Sequence, residues 1–317
     1  TFTFASLSLG ENVSVLVRGS NALEIIVEGN ASIRTSFSLH GKSGISGVYS
    51  GLPGPGGWSS GRGLRYTDMF SNIHPSLNGQ GPGGGRGYEM GNSNGGGSYG
   101  GLGSGGLNSG VAGITYGDDK ITQLIGGSGG GHALSGSGNA GGGGGALSFR
   151  VSGSFTLDAN ATLSVRGGHG QFGSDGSGAG GSGGAIRIEA ASITNNGLID
   201  ARGGDALGSS TLAGTGGGGR VALLSPGSIV EGNILKDGGQ NKSFSHVSYR
   251  QQDLVGHWTL DDNQSSNVAI NETGDVNLNG VISGNPLRVP GRKGNAFYFD
   301  GIDDKIVVSN STALQLD

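Results

Sequence analysis

Cysteine is absent from the 317 residues, so the chain has no disulfide framework, no thiolate metal site and no cysteine nucleophile. Proline is scarce, with 7 residues, and glycine follows no strict triplet, which excludes a collagen helix. No apolar run approaches the roughly 18 residues that a membrane-spanning helix requires. Only 13% of residues are charged and the formal net charge is −4, so a basic patch for binding nucleic-acid phosphates is missing.

Glycine is the residue in excess, with 73 positions, about 23% of the chain against a usual share of about 7%. It is dense over residues 41–145 and sparse from residue 250 onward. We therefore expect a glycine-rich domain over 1–250, with a long glycine-rich insertion at 41–145, and a second domain over 251–317.

The segments between the glycine tracts alternate apolar, often β-branched, residues with polar ones, whereas sustained helical spacing is missing, so the predicted fold class is all-β. Three stretches, 141–168, 180–204 and 214–239, share a template of glycine run, three strands with two turns, and Gly-Gly; residues 21–41 fit it without the leading glycines. Ala146, Ala185 and Arg220 are equivalent positions, at offsets of roughly 39 and 35 residues, which is a spacing typical of stacked repeats.

One such repeat cannot bury its apolar face alone, so the pattern predicts a β-solenoid, or β-helix-like, stack with a continuous core. The glycine tracts admit two interpretations. They are either floppy excursions from the stack, or ordered polyglycine-type strands packed side by side, which only a residue without a Cβ permits. The positions predicted to point inward are Leu147, Phe149, Val151, Phe155, Leu157, Leu163, Val165, Ile186, Ile188, Ile193, Leu198 and Ile199.

The composition becomes ordinary from Leu254. The motif G-x-W-x-L-D-D over 256–262, the Asn277–Gly280 link and G-x-A-x-x-F-D-G-x-D-D over 294–304 resemble the start of a laminin-G-like (concanavalin-type) jelly-roll module. The resemblance covers residues 254–317 and implies a partial β-sandwich. It implies that further chain, or strand addition from another subunit, completes the sheet.

The repeat region is similar to the glycine-rich repeats of large secreted and cell-surface proteins, on motifs such as GGSGGAIRI at 180–188, GLIDARGG at 197–204 and YGDDKITQLIGGSGGG at 116–131. This resemblance implies an extracellular structural or adhesive role and no enzymatic activity.

Candidate ligand sites rest on three residue types. Asp261, Asp262, Asp303 and Asp304 could ligate calcium together with loop carbonyls, as lectin-like jelly rolls sometimes do, and calcium is the one cofactor we consider. Exposed aromatic rings stack on sugars, which suggests Trp58, Tyr66, Tyr88 and Tyr99 as carbohydrate contacts. Glycosylation sequons occur at Asn12, Asn30, Asn160, Asn241, Asn263, Asn271 and Asn310.

The leading hypothesis is a non-enzymatic, extracellular or cell-surface structural protein that assembles with itself into a filament, appendage or matrix, because unpaired terminal strands invite stacking. An alternative is an adhesin or lectin-like protein that binds carbohydrate. A further alternative is a solenoid polysaccharide lyase or hydrolase, for which Glu189, Asp200, Asp205, Glu231 and Asp237 would need to align on one face. We expect no nucleic-acid partner.

Overall fold

The chain forms two compact units, Thr1–Gln251 and Gln252–Asp317, close to the expected boundary. Among the described residues the regular structure is β-strand, as predicted, apart from short 3₁₀ turns such as Val276–Leu278, and no helix there has the length and hydrophobicity to cross a bilayer. The structure, a computed structural model, describes residues 1–44, 50–62, 77–88, 94–106, 110–133, 139–173, 176–207, 213–239, 248–252, 256–260, 267–272, 276–291, 295–310 and 314.

Two sheets form the strand-rich part of the first unit, and the registers of β1 to β7 and β10 to β14 are parallel. The larger sheet contains β1 (Phe2–Phe4), β2 (Leu7–Leu9), β3 (Leu23–Val27), β4 (Ala31–Ile33), β6 (Ala146–Leu157), β10 (Ala185–Asn195), β12 (Arg220–Ser225), β13 (Ile229–Val230) and β15 (Ser248–Gln252). The smaller sheet contains β5 (Phe37–Ser38), β7 (Thr162–Ser164), β11 (Leu198–Asp200) and β14 (Asn233–Leu235). A short hairpin, β8 (Phe172–Gly173) and β9 (Gly176–Ser177), lies apart from both sheets.

The strand registers match the sequence repeats residue by residue. Ala146 pairs with Ala185, which in turn pairs with Arg220, so the three positions aligned by sequence are neighbours across the sheet. Leu23 pairs with Leu147, which places the 21–41 repeat next to β6 although the glycine-rich insertion separates them in sequence. The insertion therefore leaves the stack after β5 and returns at β6.

Residues at the same position in successive strands form columns that run along the stack. Phe149 pairs with Ile25 on one side and with Ile188 on the other, and all three side chains are buried in one core. The Phe149 ring also contacts Phe37 of the smaller sheet, with ring centroids 5.6 Å apart, so the core lies between the two sheets. The predicted inward residues are buried with one exception, because Leu198 is partly exposed while its neighbour Ile199 points inward.

The glycine tracts are hydrogen-bonded to one another, as the ordered interpretation requires. In the tract that leads into β6, amides three residues apart donate to the same neighbouring tract, with N···O distances of 2.8 to 3.0 Å. This period of three matches an extended helix of the polyproline II type, which has three residues per turn and no internal hydrogen bonds. The pairs are Gly141 and Gly144 to 179–182, Gly142 and Gly145 to 39–42, and Gly143 and Ala146 to 55–58.

The same rule holds for the tract before β10. Its amides at 180 and 183 donate to residues 214 and 217, those at 181 and 184 to residues 168 and 165, and those at 179 and 182 to residues 131 and 128. Each tract thus contacts several others, and together they form what we call the glycine bundle: the described parts of residues 39–61, 77–133, 139–145, 165–184, 201–219 and 236–239. Along the chain, glycine tracts of the bundle directly precede or follow strands of both sheets.

The second unit contains antiparallel strands. A three-stranded sheet presents Val268, Val281 and Val307 side by side in one cross-strand row, and each of these side chains is at least 36% exposed. A separate two-stranded ladder pairs Leu287 with Tyr298. The strands are β16 (Val268–Ala269), β17 (Gly280–Ser283), β18 (Leu287–Pro290), β19 (Asn295–Tyr298) and β20 (Lys305–Val308).

Candidate functional site

The aromatic residues suggested as carbohydrate contacts do not share one environment. Trp58 is 41% exposed and Tyr88 is partly buried, whereas Tyr66 lies outside the described residues. Tyr99 is only 1% exposed, so the prediction that its ring stacks on a sugar is wrong. Glycine-rich surroundings did not signal its burial, because the neighbours that cover it come from distant parts of the chain.

Tyr99 belongs to a cluster where the glycine bundle meets the outer face of the larger sheet. Its ring lies 4.7 Å from that of Tyr116, and the guanidinium of Arg220 lies 5.6 Å from its centroid. The Tyr116 hydroxyl donates to the Gly126 carbonyl at 2.7 Å and accepts from Ser128. Burial raises the pKa of both tyrosines above the usual value for a phenol. The cluster therefore joins the bundle to the sheet.

The acidic residues suggested for calcium are placed only in part. Asp303 and Asp304 lie with Asp300, and one carboxylate oxygen from each falls within 4.8 Å of the others. Asp300 was missed in the sequence, although the D-G-x-D-D spacing contains it. Two of the three aspartates shape the turn before β20, since Asp304 accepts from the Asp300 amide and Asp300 accepts from the Ile302 amide. Asp261 and Asp262 lie outside the described residues.

The carboxylates that a solenoid lyase or hydrolase would need do not align on one face. Glu189 lies on the outer face of the larger sheet, where it pairs with Arg187 at 2.8 Å and with Arg150 at 3.6 Å. Asp200 lies at the end of β11 in the smaller sheet. Its carboxylate accepts hydrogen bonds from Nη2 and Nε of Arg202, at 2.8 and 2.9 Å. Two of the five groups thus serve ion pairs in different sheets, so the five carboxylates do not share the one face that the lyase or hydrolase alternative would need.

The sequons also differ in accessibility. Asn12, Asn30, Asn160 and Asn310 are exposed, whereas Asn241 and Asn263 lie outside the described residues. Asn271 is 3% exposed, and its side-chain oxygen accepts a hydrogen bond from the His257 amide at 2.8 Å. That position disfavours Asn271 as a glycan acceptor in the folded chain.

One end of the parallel stack, which we call the head face, carries a large apolar cavity. The head face consists of residues 1–20 with the exposed edges of β1, β2 and β5. Its cavity has a volume of about 540 Å³ and is lined by side chains that include Phe2, Leu9, Leu16 and Phe37. Phe2 is 59% exposed and Leu16 is 71% exposed, so apolar surface that other parts of the stack bury here faces solvent.

The opposite end, which we call the tail face, consists of β13 and β14, and it lies beside the β12 edge that β15 covers. Among the described residues, β13 pairs only with β10 and β14 only with β11, so each presents an unpaired edge. Ile229 and Ile234 are partly buried against the core, and Val230 is 50% exposed. Both ends of the stack therefore combine open backbone edges with uncovered apolar side chains.

A charged column connects the two ends beside the smaller sheet. The registers of β5, β7, β11 and β14 place His40, Arg166, Arg202 and Asp237 at successive positions. Burial, followed by the charge of Arg166, lowers the pKa of His40, and hydrogen bonding to Asp200 raises the pKa of Arg202. The column begins at the head face with His40, beside Lys42, and ends at the tail face with the exposed carboxylate of Asp237.

Sequence reasoning missed a hydrogen bond between His40 and Ser164. The His40 Nε2 and Ser164 Oγ atoms lie 2.5 Å apart. Ser164 is 4% exposed, and its hydroxyl also donates to the Asp200 carbonyl at 3.4 Å, so it links adjacent strands of the smaller sheet. No sequence signal identifies the pair, because 124 residues separate its members.

Comparison with known proteins adds no relative. No protein-family model, no curated protein and no solved structure matches the chain. The geometry of the two end faces, the columns and the bundle is therefore the basis for a functional proposal.

Proposed function

We propose that this protein is a non-enzymatic, extracellular structural protein that assembles with itself into a filament, surface appendage or matrix. In this proposal the first unit is a β-solenoid with polyglycine-type insertions, and the second is the beginning of a laminin-G-like sandwich. The single observation that carries the proposal is that unbroken apolar columns end on uncovered apolar faces at both ends of a parallel stack.

The glycine bundle supports a structural role because it makes the first unit laterally thick mainly through contacts between backbones. Its cohesion comes from backbone hydrogen bonds at about 2.9 Å between tracts, each of which contributes a net 0.5–1.5 kcal/mol, roughly, to stability. Such a network resists bending better than a single stack of strands, since every tract is tied to several others. Rigidity in two directions suits a load-bearing subunit.

The second unit supports the same proposal from another side. Its three-stranded sheet leaves a row of apolar side chains exposed on one face. A further sheet packed on Val268, Val281 and Val307 would bury that row, as a jelly-roll sandwich does. Intermolecular strand addition is one way to supply it.

The proposal is tested by the state of the purified chain. Sedimentation velocity over a hundredfold concentration range should show a mass that grows with concentration, and negative-stain microscopy should show elongated particles. A chain that stays monomeric over the whole range, with compact single particles in the microscope, would exclude a self-assembling subunit. Antibody labelling of intact, unpermeabilised cells checks the extracellular location separately.

A further inference from the structure

We propose that copies of this chain join head to tail, so that the tail face of one copy (β13 and β14) docks on the head face of the next (residues 1–20 with β1, β2 and β5). This inference rests on the proposed function and names its junction. The partner is a second copy of the chain in the same orientation.

The registers show that the two faces are ends of the same columns. Five residues, one from each successive strand, form a column of small or β-branched side chains: Ser8, Ser32, Thr156, Thr194 and Val230. An apolar column beside it runs through Leu7, Ala31, Phe155, Ile193 and Ile229. A second copy displaced along the stack would set its Val230 next to Ser8 and its Ile229 next to Leu7, which extends both columns. In this register β1 takes the edge of the second copy's β12 that β15 covers within one chain, so the junction includes displacement of β15 by β1.

The parallel direction of the strands decides the orientation of the partner. Parallel strands continue as a parallel sheet only when the added copy keeps the same direction. Such a contact is heterologous, because the head of one copy meets the tail of another, and it leaves a fresh head and a fresh tail at the two ends. Assembly by this contact is open-ended and yields fibres of increasing length.

The apolar cavity of the head face is the surface that the tail of a second copy would bury. A column of the smaller sheet runs through Phe37, Leu163, Ile199 and Ile234, and Phe37 at its head end lines the cavity. The tail of a second copy brings Ile229 and Ile234 over this opening. Side chains that are partly exposed on both faces then become buried, and the removal of their apolar surface from water favours the contact.

Charge complementarity favours the same partner. The charged column has the exposed cation Lys42 beside His40 at the head and the exposed carboxylate of Asp237 at the tail. Because residues 1–20 add one layer to the larger sheet at the head, about two strand spacings, roughly 9.6 Å, separate these groups in the joined copies. That distance lies within the Debye length of about 10 Å at 0.1 M salt, so the contact brings opposite charges together.

Cysteine cross-linking tests the junction directly, because the chain contains no cysteine of its own. Ser8 is exposed and Val230 is 50% exposed, so S8C and V230C leave the core unchanged. In-register parallel neighbours lie about 4.8 Å apart, which is close enough for a disulfide. We expect the S8C/V230C chain to give a ladder of dimers, trimers and longer species on a non-reducing gel after mild oxidation.

The matched controls separate this ladder from random contact. The S8C/N160C chain carries its second cysteine on an exposed turn in the middle of the stack and should give no ladder. Each single variant should give no more than a trace of dimer. Strong dimer formation by S8C alone would mean that heads meet heads, and it would overturn the inference.

Sedimentation of the same samples distinguishes the two levels of the proposal. Oligomers without an S8C/V230C ladder would overturn the head-to-tail junction and leave the proposed function standing. Monomers throughout would overturn both. A charge reversal supplies a second, cysteine-free test: D237K should weaken association about 3-fold at low salt, and K42D added to it should restore it. Failure of this rescue in an assembling chain would contradict the charge contact.

Discussion

Two different kinds of interaction stabilise the first unit, one between its two sheets and the other in the glycine bundle. Between the sheets, cohesion comes from side chains such as Phe149 and Ile188, which are fully buried in columns. In the glycine bundle, cohesion comes from backbone amides, and a side chain there would occupy the space in which a neighbouring carbonyl lies. Removing side-chain atoms therefore destabilises the core, whereas adding side-chain atoms destabilises the bundle.

This difference explains why so much glycine is compatible with order. The conformational entropy that glycine loses on folding is the largest of any residue, and the core alone would not offset it. In the bundle the close approach of tracts lets many amides donate to a carbonyl in a neighbouring tract. Glycine is therefore needed in the bundle because its lack of a Cβ lets the tracts approach one another, and not because of its conformational freedom.

Adding atoms to the bundle should have the largest effect. A Cβ on Gly143 would overlap the Gly127 carbonyl, which is backbone and cannot turn away. We expect Gly143→Val to destabilise the first unit by at least about 5 kcal/mol, or to prevent its folding, measured by denaturant unfolding. The matched control is Gly10→Val, because a Cβ at Gly10 has no atom within 4 Å. Equal stability of the two variants would disprove the close-packed bundle.

Removing atoms from the core should come next. Phe149 is fully buried and contacts the rings of Phe37 and Phe155. We expect Phe149→Ala to lower the free energy of unfolding by about 3–5 kcal/mol, through lost burial and the cavity left behind. Phe172→Ala, at a ring that is 58% exposed, is the control and should change it by less than about 0.5 kcal/mol. Similar losses at both positions would mean that the columns do not carry the core.

Alkaline pH should have the smallest effect, and it acts at the boundary between the two regions. Burial raises the pKa of Tyr99 and Tyr116 above 10, so between pH 10 and the raised pKa the unfolded chain releases protons that the folded chain keeps. The contribution of these two tyrosines to stability is therefore constant well below pH 10 and falls as the pH rises through 10, by up to about 1.4 kcal/mol per pH unit for each tyrosine.

Denaturant titrations at pH 9, 10 and 11 measure this slope. Tyr99→Phe should reduce it by removing one of the two groups. Tyr298→Phe, at a ring that is 63% exposed, is the matched control and should leave it unchanged. A slope that Tyr99→Phe does not alter would show that Tyr99 is not buried at the boundary.

The repeat arrangement could be predicted because it follows from the local alternation of apolar and polar residues. The equivalence of Ala146, Ala185 and Arg220 follows from aligning three short segments, and the sheet registers reproduce it. Inward positions follow from the period of two in a strand. Leu198 was misassigned because a two-residue apolar pair, Leu198-Ile199, does not show which member points inward.

The rest could not be predicted because it depends on contacts between distant segments. The burial of Tyr99 is created by Tyr116 and Arg220, which no spacing rule connects to it. The sequence also does not show which glycine tracts are neighbours, since the glycine runs are alike and composition does not favour one pairing of them over another. Asp300 joined the acidic cluster through the shape of one turn, which the motif letters alone did not reveal.

The long insertion between β5 and β6 has a consequence for the order of folding. Asn30 accepts a hydrogen bond from the Ser154 amide 124 residues later, whereas Ser164 reaches Asp200 across 36 residues. Closing the longer loop costs about 1 kcal/mol more in chain entropy. The strands that leave the ribosome first must therefore wait for β6, and until then β3 and β4 are without their permanent neighbour. A newly made chain would expose its head strands longest, so the surface proposed to join finished copies is also the one that most needs protection during synthesis.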